Sequence, residues 1–382
     1  MNILLVTPWK LSEIGGISTV ITMLSRQYRK KGHDVIVLVT GGENRIVLID
    51  RTEDASVYGV YLRSPYVERA PIRGMISCCV FFPFSCWQLY RFLTRNRIDI
   101  VAIQYPLSNV FYFAILRQLC AWKLVVTYQG NDAHDLHLWN SIDRLLIRFL
   151  LKTSDCIVAV SKTLLSKVLQ LFPDLCHKKT RIVPNGAPLD LINQTGSVKS
   201  GVNMPSQYIL TAGHLIERKG LDILIKSVKR ARDQGHEMIL VIAGDGAERL
   251  NLVRLAQESG ISANVHFIGN KSQEEVLELM KNCQFFVLAS RAEGMPLVIA
   301  EAMACGKAIV STNVDGIPEI VQDGLTGLLV EPEDIESLAA SLVRLHQDPV
   351  LRKTLGSAGK EAAWRDYNWE NIGDKYLQLF SE

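Results

Sequence analysis

Apolar runs of about five residues alternate along this chain with stretches in which apolar positions recur every three or four residues. Ile3 to Thr7 is the first run, Ile17, Val20, Ile21, Leu24 and Tyr28 follow at helical spacing before Gly32, and Val35 to Val39 is the second run. The pattern predicts a β-α-β unit whose short runs are parallel strands buried on both faces. It continues with a helix over about 75–95, strand Ile100–Gln104, helix Val110–Ala121 and strand Leu124–Tyr128. Helix Asp143–Lys152, strand Cys156–Val160 and helix Lys162–Leu171 follow, before the turn-forming Pro184-Asn185-Gly186 and a polar linker over Asn193–Ser206. The alternation then restarts. Strands are expected at Tyr208–Ala212, Met238–Ala243, Val265–Ile268, Phe285–Ala289, Ala308–Ser311 and Leu328–Val330, with helices at Leu221–Asp233, Glu274–Asn282 and Pro296–Cys305 between them. Helices near Ile335–His346 and Val350–Ala363 close this half, and an amphipathic helix fills Trp369–Phe380. The expected architecture is α/β: two doubly wound domains, 1–192 and 207–368, joined by the linker 193–206 and followed by the closing segment 369–382. Ligands of such folds bind at the carboxyl ends of the parallel strands.

Composition changes this picture little, but charge does. With 48% apolar and 21% charged residues among 382, the chain is ordinary globular protein. Its net charge, 42 − 39 = +3, gives no reason to expect a nucleic-acid partner. Residues 1–190 carry 23 basic and 14 acidic side chains, 23 − 14 = +9, and residues 191–382 carry 19 and 25, 19 − 25 = −6. The first half therefore has reason to meet an anionic group. Arg26, Arg29, Lys30, Lys31, Arg69, Arg73, Arg91, Arg95 and Arg97 are its candidates; they are either solvated helix faces or a contact with an anionic membrane surface. Between Arg73 and Arg91 lies an apolar segment, Gly74–Tyr90, at the short limit for a membrane span and interrupted by Pro83. A buried helix with a proline kink is the favoured reading, ahead of a membrane-surface contact. The eight cysteines lack metal-site spacing and read as reduced core thiols. Met1-Asn2-Ile3-Leu4-Leu5-Val6 lacks a positive leader and reads as a first strand, so a cytoplasmic location, or one peripheral to the inner face of a membrane, is expected.

The candidate chemistry sits at strand ends. Gly15-Gly16 opens the first helix, and Gly244-Asp245-Gly246 follows a strand, but neither completes the G-x-G-x-x-G fingerprint of nicotinamide cofactors. The most specific segment runs from Ala289 to Glu301. Pro296 suits the start of a helix and Gly294 lets backbone approach a ligand, so the amides around Met295 to Val298 would form an anion-binding helix N-terminus. Glu293 lies in the loop before it, and Glu301 lies about one and a half turns inside, where a carboxylate can accept two hydroxyls side by side. Asp132, His134, Asp135 and His137 are metal-ligand types, but they read better as an acceptor wall and the polar start of a helix.

Glu293 and Glu301 form an E-x7-E motif. With Gly213-His214-Leu215-Ile216-Glu217-Arg218-Lys219-Gly220-Leu221-Asp222, Ile182-Val183-Pro184-Asn185-Gly186 and Gly15-Gly16, it resembles the retaining GT-B glycosyltransferases of family 4 over nearly the whole chain. The resemblance implies two Rossmann-like domains facing across a cleft, with a nucleotide sugar, UDP- or GDP-linked, on the C-terminal one. It implies that Glu301 holds the ribose, Glu293 faces the transferred sugar, and the loop Gly294 to Val298 contacts sugar and diphosphate. Lys219 would bind the diphosphate, with Gly16 approaching from the other domain and Gly269 completing the donor pocket. The C-terminal tail would cross back onto the N-terminal domain from about Trp369. Such chemistry needs no metal and no cofactor beyond the donor; the leaving diphosphate is stabilised by cations and amides, each worth about 3–4 kcal/mol when well placed.

Two departures from the family's pattern stand out. His214 occupies a position where arginine is common; either His214 protonates beside the phosphates or Arg218, permanently charged and fork-shaped and so the favoured substitute, takes that role, unless Lys219 alone suffices. Gln129-Gly130-Asn131-Asp132 replaces a His-Gly-x-Asp sequence, leaving no histidine there and Asp132 as an acceptor-positioning candidate beside Gln129, Gly130 and Asn131. Lys219, Glu293 and Asp132 are thus the residues expected to carry rate. The function implied is hexose transfer to a glycan or lipid-linked acceptor; a sugar-nucleotide 2-epimerase and an inactive nucleotide-sugar-binding protein are the alternatives.

Overall fold

Each run that the alternation marks as a strand pairs with a parallel neighbour. The computed structural model describes residues 1–11, 15–66, 70–134, 139–194 and 205–382. They fall into two units, Met1–Pro184 with Ile372–Glu382, and Asn185–Asn371. In the first, β1 (Asn2–Thr7), β2 (Asp34–Val39), β3 (Val47–Arg51), β4 (Ser56–Gly59), β5 (Ile100–Gln104), β6 (Lys123–Tyr128), β7 (Cys156–Ala159) and β8 (Thr180–Ile182) form one sheet in the order β3-β4-β2-β1-β5-β6-β7-β8. Only β3 runs antiparallel there. In the second, β9 (Ile209–Ala212), β10 (Leu240–Ala243), β11 (Val265–Gly269), β12 (Phe286–Leu288), β13 (Ile309–Thr312) and β14 (Gly327–Val330) are all parallel, in the order β11-β10-β9-β12-β13-β14. Central strands such as β5, β9 and β13 are buried at every position, which is why they read as unbroken apolar runs.

The elements that escaped the sequence pattern are short or peripheral; β4, inside the sheet, has only four residues. Strand β3 is mostly exposed, β8 is a three-residue edge, and the helix Arg249–Glu258 buries only Leu252 and Ala256, so none shows a clear apolar period. Where the linker was expected to begin, Asn193 and Gln194 end the helix Leu189–Gln194; residues 195–204 of that linker lie outside the described residues. The units divide at Pro184/Asn185, not at 192, because Ala187 donates to the Tyr367 carbonyl at 2.8 Å and bridges Asn368, tying this stretch to the second unit. From Ile372 onward the helix Trp369–Ser381 packs with the first unit: Lys31 pairs with Asp374 at 2.8 Å, and the Tyr28 and Phe380 rings meet edge to face at 5.7 Å.

Two expectations are corrected. The apolar segment Gly74–Tyr90 belongs to one helix, Pro71–Arg95, continuous through Pro83, and it is not buried. Cys78, Gln88, Leu89, Phe92 and Leu93 face the unit, whereas Ile72, Met75, Ile76, Val80, Phe84, Trp87 and Tyr90 are 37% to 71% exposed. A segment apolar on every side needs a second covering layer, and the unit supplies one layer only. The cysteines are all free, but only Cys78, Cys156 and Cys283 are buried; Cys79 and Cys176 are exposed.

Candidate active site

Because the second sheet is wholly parallel, the loops that follow its strands emerge at one edge, and this gathers residues distant in sequence. Gly213 follows β9, Gly244 follows β10, Gly269 ends β11, Glu293 lies beyond β12 and Asp315 beyond β13. The loops touch backbone to backbone. Gly244 donates to the Gly269 carbonyl at 2.8 Å, and a Cβ on Gly244 would fall 1.9 Å from the Gly213 oxygen. Gly220, left-handed at φ 59, admits no side chain either, since its Cβ would lie 2.0 Å from the Ala289 oxygen.

That close approach brings the Gly213–Asp222 loop onto the Glu293 loop. Lys219 Nζ donates to Glu293 Oε1 at 2.5 Å, and Ser290 Oγ donates to the same oxygen at 2.6 Å. The two charged side chains are 18% and 10% exposed, so their attraction is only partly screened by water. The Glu293 amide donates to Asp315 Oδ2 at 3.0 Å, and Asp315 holds a left-handed φ of 47, a strained conformation of the kind that clusters at functional sites. Below the pair, Arg291 staples both loops. Its guanidinium grips the Asp222 carboxylate through two bonds, at 2.9 and 3.0 Å, and reaches Glu333 at 2.6 Å, while its amide donates to the Arg218 carbonyl at 2.8 Å. Burial alone would raise the Asp222 carboxyl; the Arg291 bonds outweigh it and hold that carboxyl below its usual range.

The helix after Glu293 is Leu297–Ala304, with Pro296 as its N-cap and no side chain capping its first amides. It is buried from Ile299 to Ala304, and Glu301 is 6% exposed. Glu301 Oε1 accepts from Gln273 Nε2 at 2.9 Å, and burial pushes its carboxyl above the usual range against that bond. A carboxylate so placed, with one amide partner, can accept a pair of hydroxyls. Of the other donor-side candidates, Gly294, Met295 and Pro296 are buried, Leu297, Val298 and Arg218 are half-buried, and His214 is exposed. Gln273, Ser290, Arg291 and Asp315 escaped the sequence reading. Ser290 and Arg291 adjoin the motif, but nothing in sequence links Gln273 or Asp315 to it.

The first unit arranges its candidates differently. Gly16 starts the helix Gly16–Lys30, which has no side-chain cap. Gln129, Gly130 and Asp132 follow β6, and Asn131 begins the short helix Asn131–His134. Asp132 is 1% exposed and turned into its own loop, accepting from the amides of Gln129 at 3.0 Å and Gly130 at 2.6 Å. Burial raises its carboxyl to about 7, with those amides opposing the shift. Gln129 is buried too and donates to Gln104 at 2.9 Å. In place of an open acceptor wall, these residues shape the loop. The open space lies elsewhere in the unit, in a cavity of 730 Å³ lined by Arg63, Ser64, Arg73, Ser108, Asn109 and Trp139 among others. Arg63 lies 3.7 Å over the Phe81 ring and donates to Ser77, and the buried Asn109 Oδ1 has no hydrogen-bond partner among the described residues. No three His, Cys, Asp or Glu residues gather for a metal among the described residues; Asp135 and His137 lie outside them, as does Arg69.

Known proteins resemble this chain along both of its halves. Residues 14–191 match the family described as Glycosyltransferase Family 4, and residues 194–362 match Glycosyl transferases group 1. An uncharacterized glycosyltransferase of Methanocaldococcus jannaschii is 32% identical over 286 residues, 75% of this chain and 76% of its own. A GDP-mannose-dependent monoacylated alpha-(1-6)-phosphatidylinositol monomannoside mannosyltransferase of Corynebacterium glutamicum is 30% identical over 358 residues, 90% of this chain and 91% of its own. Among solved structures, the sucrose-phosphate synthase of Thermosynechococcus elongatus shares the fold with a TM-score of 0.80 at 22% identity, covering 100% of this chain and 98% of that one. Two Rossmann-like parallel-sheet units, matched along both halves by the family's two models, make this chain a member of the group 1, family 4 glycosyltransferases of GT-B fold.

Proposed function

We propose that the chain transfers a hexose from a nucleoside-diphosphate sugar, with retention of anomeric configuration and without a metal ion, to a glycan or lipid-linked acceptor. The observation that carries this reading is the meeting, within one unit, of the Lys219–Glu293 pair, the buried Glu301 and the uncapped N-terminus of Leu297–Ala304. Glu301 accepts the ribose hydroxyls. The amides of Leu297 and Val298, with Lys219 and Arg218, take the diphosphate, so that fixed positive charge stands where the leaving group gains its negative charge. Glu293, held by Lys219, Ser290 and Asp315, faces the sugar.

In the reaction the bond from the anomeric carbon to the diphosphate oxygen breaks as a bond from the acceptor oxygen forms on the same face. The acceptor proton passes to the departing diphosphate oxygen, so the charges balance without a protein base. The acceptor belongs in the cavity of the first unit, where Arg63, Arg73 and the free acceptor oxygen of Asn109 suit hydroxyls and an anionic group. The Corynebacterium relative, which by its name uses GDP-mannose on a phosphatidylinositol mannoside, supports both halves of the reading.

Calorimetry with UDP, GDP and their hexose conjugates in the presence of EDTA tests it. Micromolar or tighter binding to one nucleotide is expected, and Glu301→Ala should weaken it about ten- to a hundredfold, the range for a hydrogen bond to a charged group. Equal affinity in wild type and variant would remove Glu301 from the site. Binding only when a divalent ion is restored would overturn the metal-free mechanism, and NMR of the first-formed product reads the anomeric outcome.

A further inference from the structure

The helix Pro71–Arg95 presents to solvent a face that a soluble surface does not need. Its exposed residues recur at 72, 75/76, 79/80, 83/84, 87 and 90/91, the spacing of one helical stripe, and the stripe holds Ile72, Met75, Ile76, Val80, Phe84, Trp87 and Tyr90. Contiguous apolar patches of this kind are rare on soluble monomers and mark contact surfaces. The charges on this helix are of one sign. Arg73, Arg91 and Arg95 are exposed, and no Asp or Glu occurs between Pro71 and Arg95. Arg91 lies 4.8 Å over the Trp87 ring, beside Tyr90, so one end of the stripe carries the aromatic and cationic groups favoured where hydrocarbon meets water.

We propose that this helix lies in the plane of an anionic lipid bilayer and seats the first unit on it. In length and composition the helix could also cross a membrane, but its opposite face is committed to the unit. Gln88 accepts from the Ile46 amide and donates to the Asn44 carbonyl, each at 3.0 Å, Cys78 meets the Tyr112 hydroxyl at 3.6 Å, and Leu89, Phe92 and Leu93 are buried. A span would strip all of these; an in-plane helix keeps them and buries only the stripe. The stripe also adjoins the cavity. Ala70 and Arg73 border both that cavity and a shallow apolar hollow formed with Pro71, Ile72 and Ile76. A lipid-linked acceptor could therefore pass from the bilayer to the cavity along Arg73. This last step rests on the glycosyl-transfer reading, whereas docking itself does not.

Flotation of the full chain with phosphatidylcholine vesicles, with and without one-third phosphatidylglycerol, at low and high salt, tests the docking without donor or acceptor. Binding to the anionic vesicles at low salt is expected, weakening with salt. Arg91→Gln with Arg95→Gln should reduce it about 25-fold, the product of about a fivefold loss for each arginine near an anionic surface. Val80→Glu with Trp87→Glu should abolish it, while nucleotide affinity, measured without vesicles, stays at the wild-type value and certifies the fold. Absence of binding to anionic vesicles overturns the proposal, as does binding that survives Val80→Glu with Trp87→Glu. Wild type that ignores vesicles but self-associates through the stripe would make it a protein interface instead. Loss of nucleotide binding in wild type, with docking intact, would overturn the transfer reading and leave the membrane one standing.

Discussion

The loops beyond β12 and β6 hold their carboxylates in opposite ways. In the second unit the Glu293 carboxylate accepts from the Lys219 ammonium, brought by another loop, and from the Ser290 hydroxyl, while its backbone amide donates to Asp315 of a third loop, and it keeps contact with solvent. In the first unit Asp132 is enclosed and, among the described residues, accepts from the amides of its own loop. The first arrangement readies charge for a ligand; the second spends it on local shape. A motif carboxylate is therefore not a site by virtue of its position alone, and the groups that reach it from elsewhere decide its use.

The comparison breaks most sharply at Lys219. Lys219→Ala should lower kcat by about a hundred- to a thousandfold, the loss usual for one donor aimed at developing charge, with a smaller change in donor affinity. Steady-state kinetics check it; a change confined to KM would make Lys219 a binding group only. Asp132→Asn tests the other loop. Its carboxyl titrates at about 7 in the folded chain and near 4 when unfolded, so between those values the folded state holds the extra proton. Stability of the wild type should then fall as pH rises from about 4 to 7, by up to about 1.4 kcal/mol per pH unit, and the asparagine variant should lack that contribution. Urea unfolding of both chains across this range reads the difference, and parallel curves would show that Asp132 is not the group responsible. The smallest effect is expected at Arg291, whose side chain is 27% exposed in its pair with Asp222. Arg291→Met should cost about 1 kcal/mol in urea unfolding, since water screens such pairs, yet raise the donor KM because the stapled loops loosen. A stability loss with an unchanged KM would separate the staple from the site.

How much of this was legible beforehand differs between the two regions for the same reason. Most donor-side residues lie in two continuous stretches: the spacing within Glu293–Glu301 brings that segment to notice, and the family resemblance adds Gly213–Asp222. Gln273 and Asp315 were invisible, because each joins the site only through a neighbouring loop. In the first unit the cavity draws Arg63, Arg73, Asn109 and Trp139 from four separate segments, and no local pattern connects them. The helix Pro71–Arg95 was misread because apolar composition reports a preference for leaving water and not which surface will satisfy it.

By itself the sequence determined the parallel cores of the two sheets, since strands buried on both faces must be apolar throughout. Tertiary structure decided which charges face each other, which carboxylate is enclosed and which face of an apolar helix stays uncovered. Those depend on partners far along the chain, and proximity in space is set by packing, not by spacing.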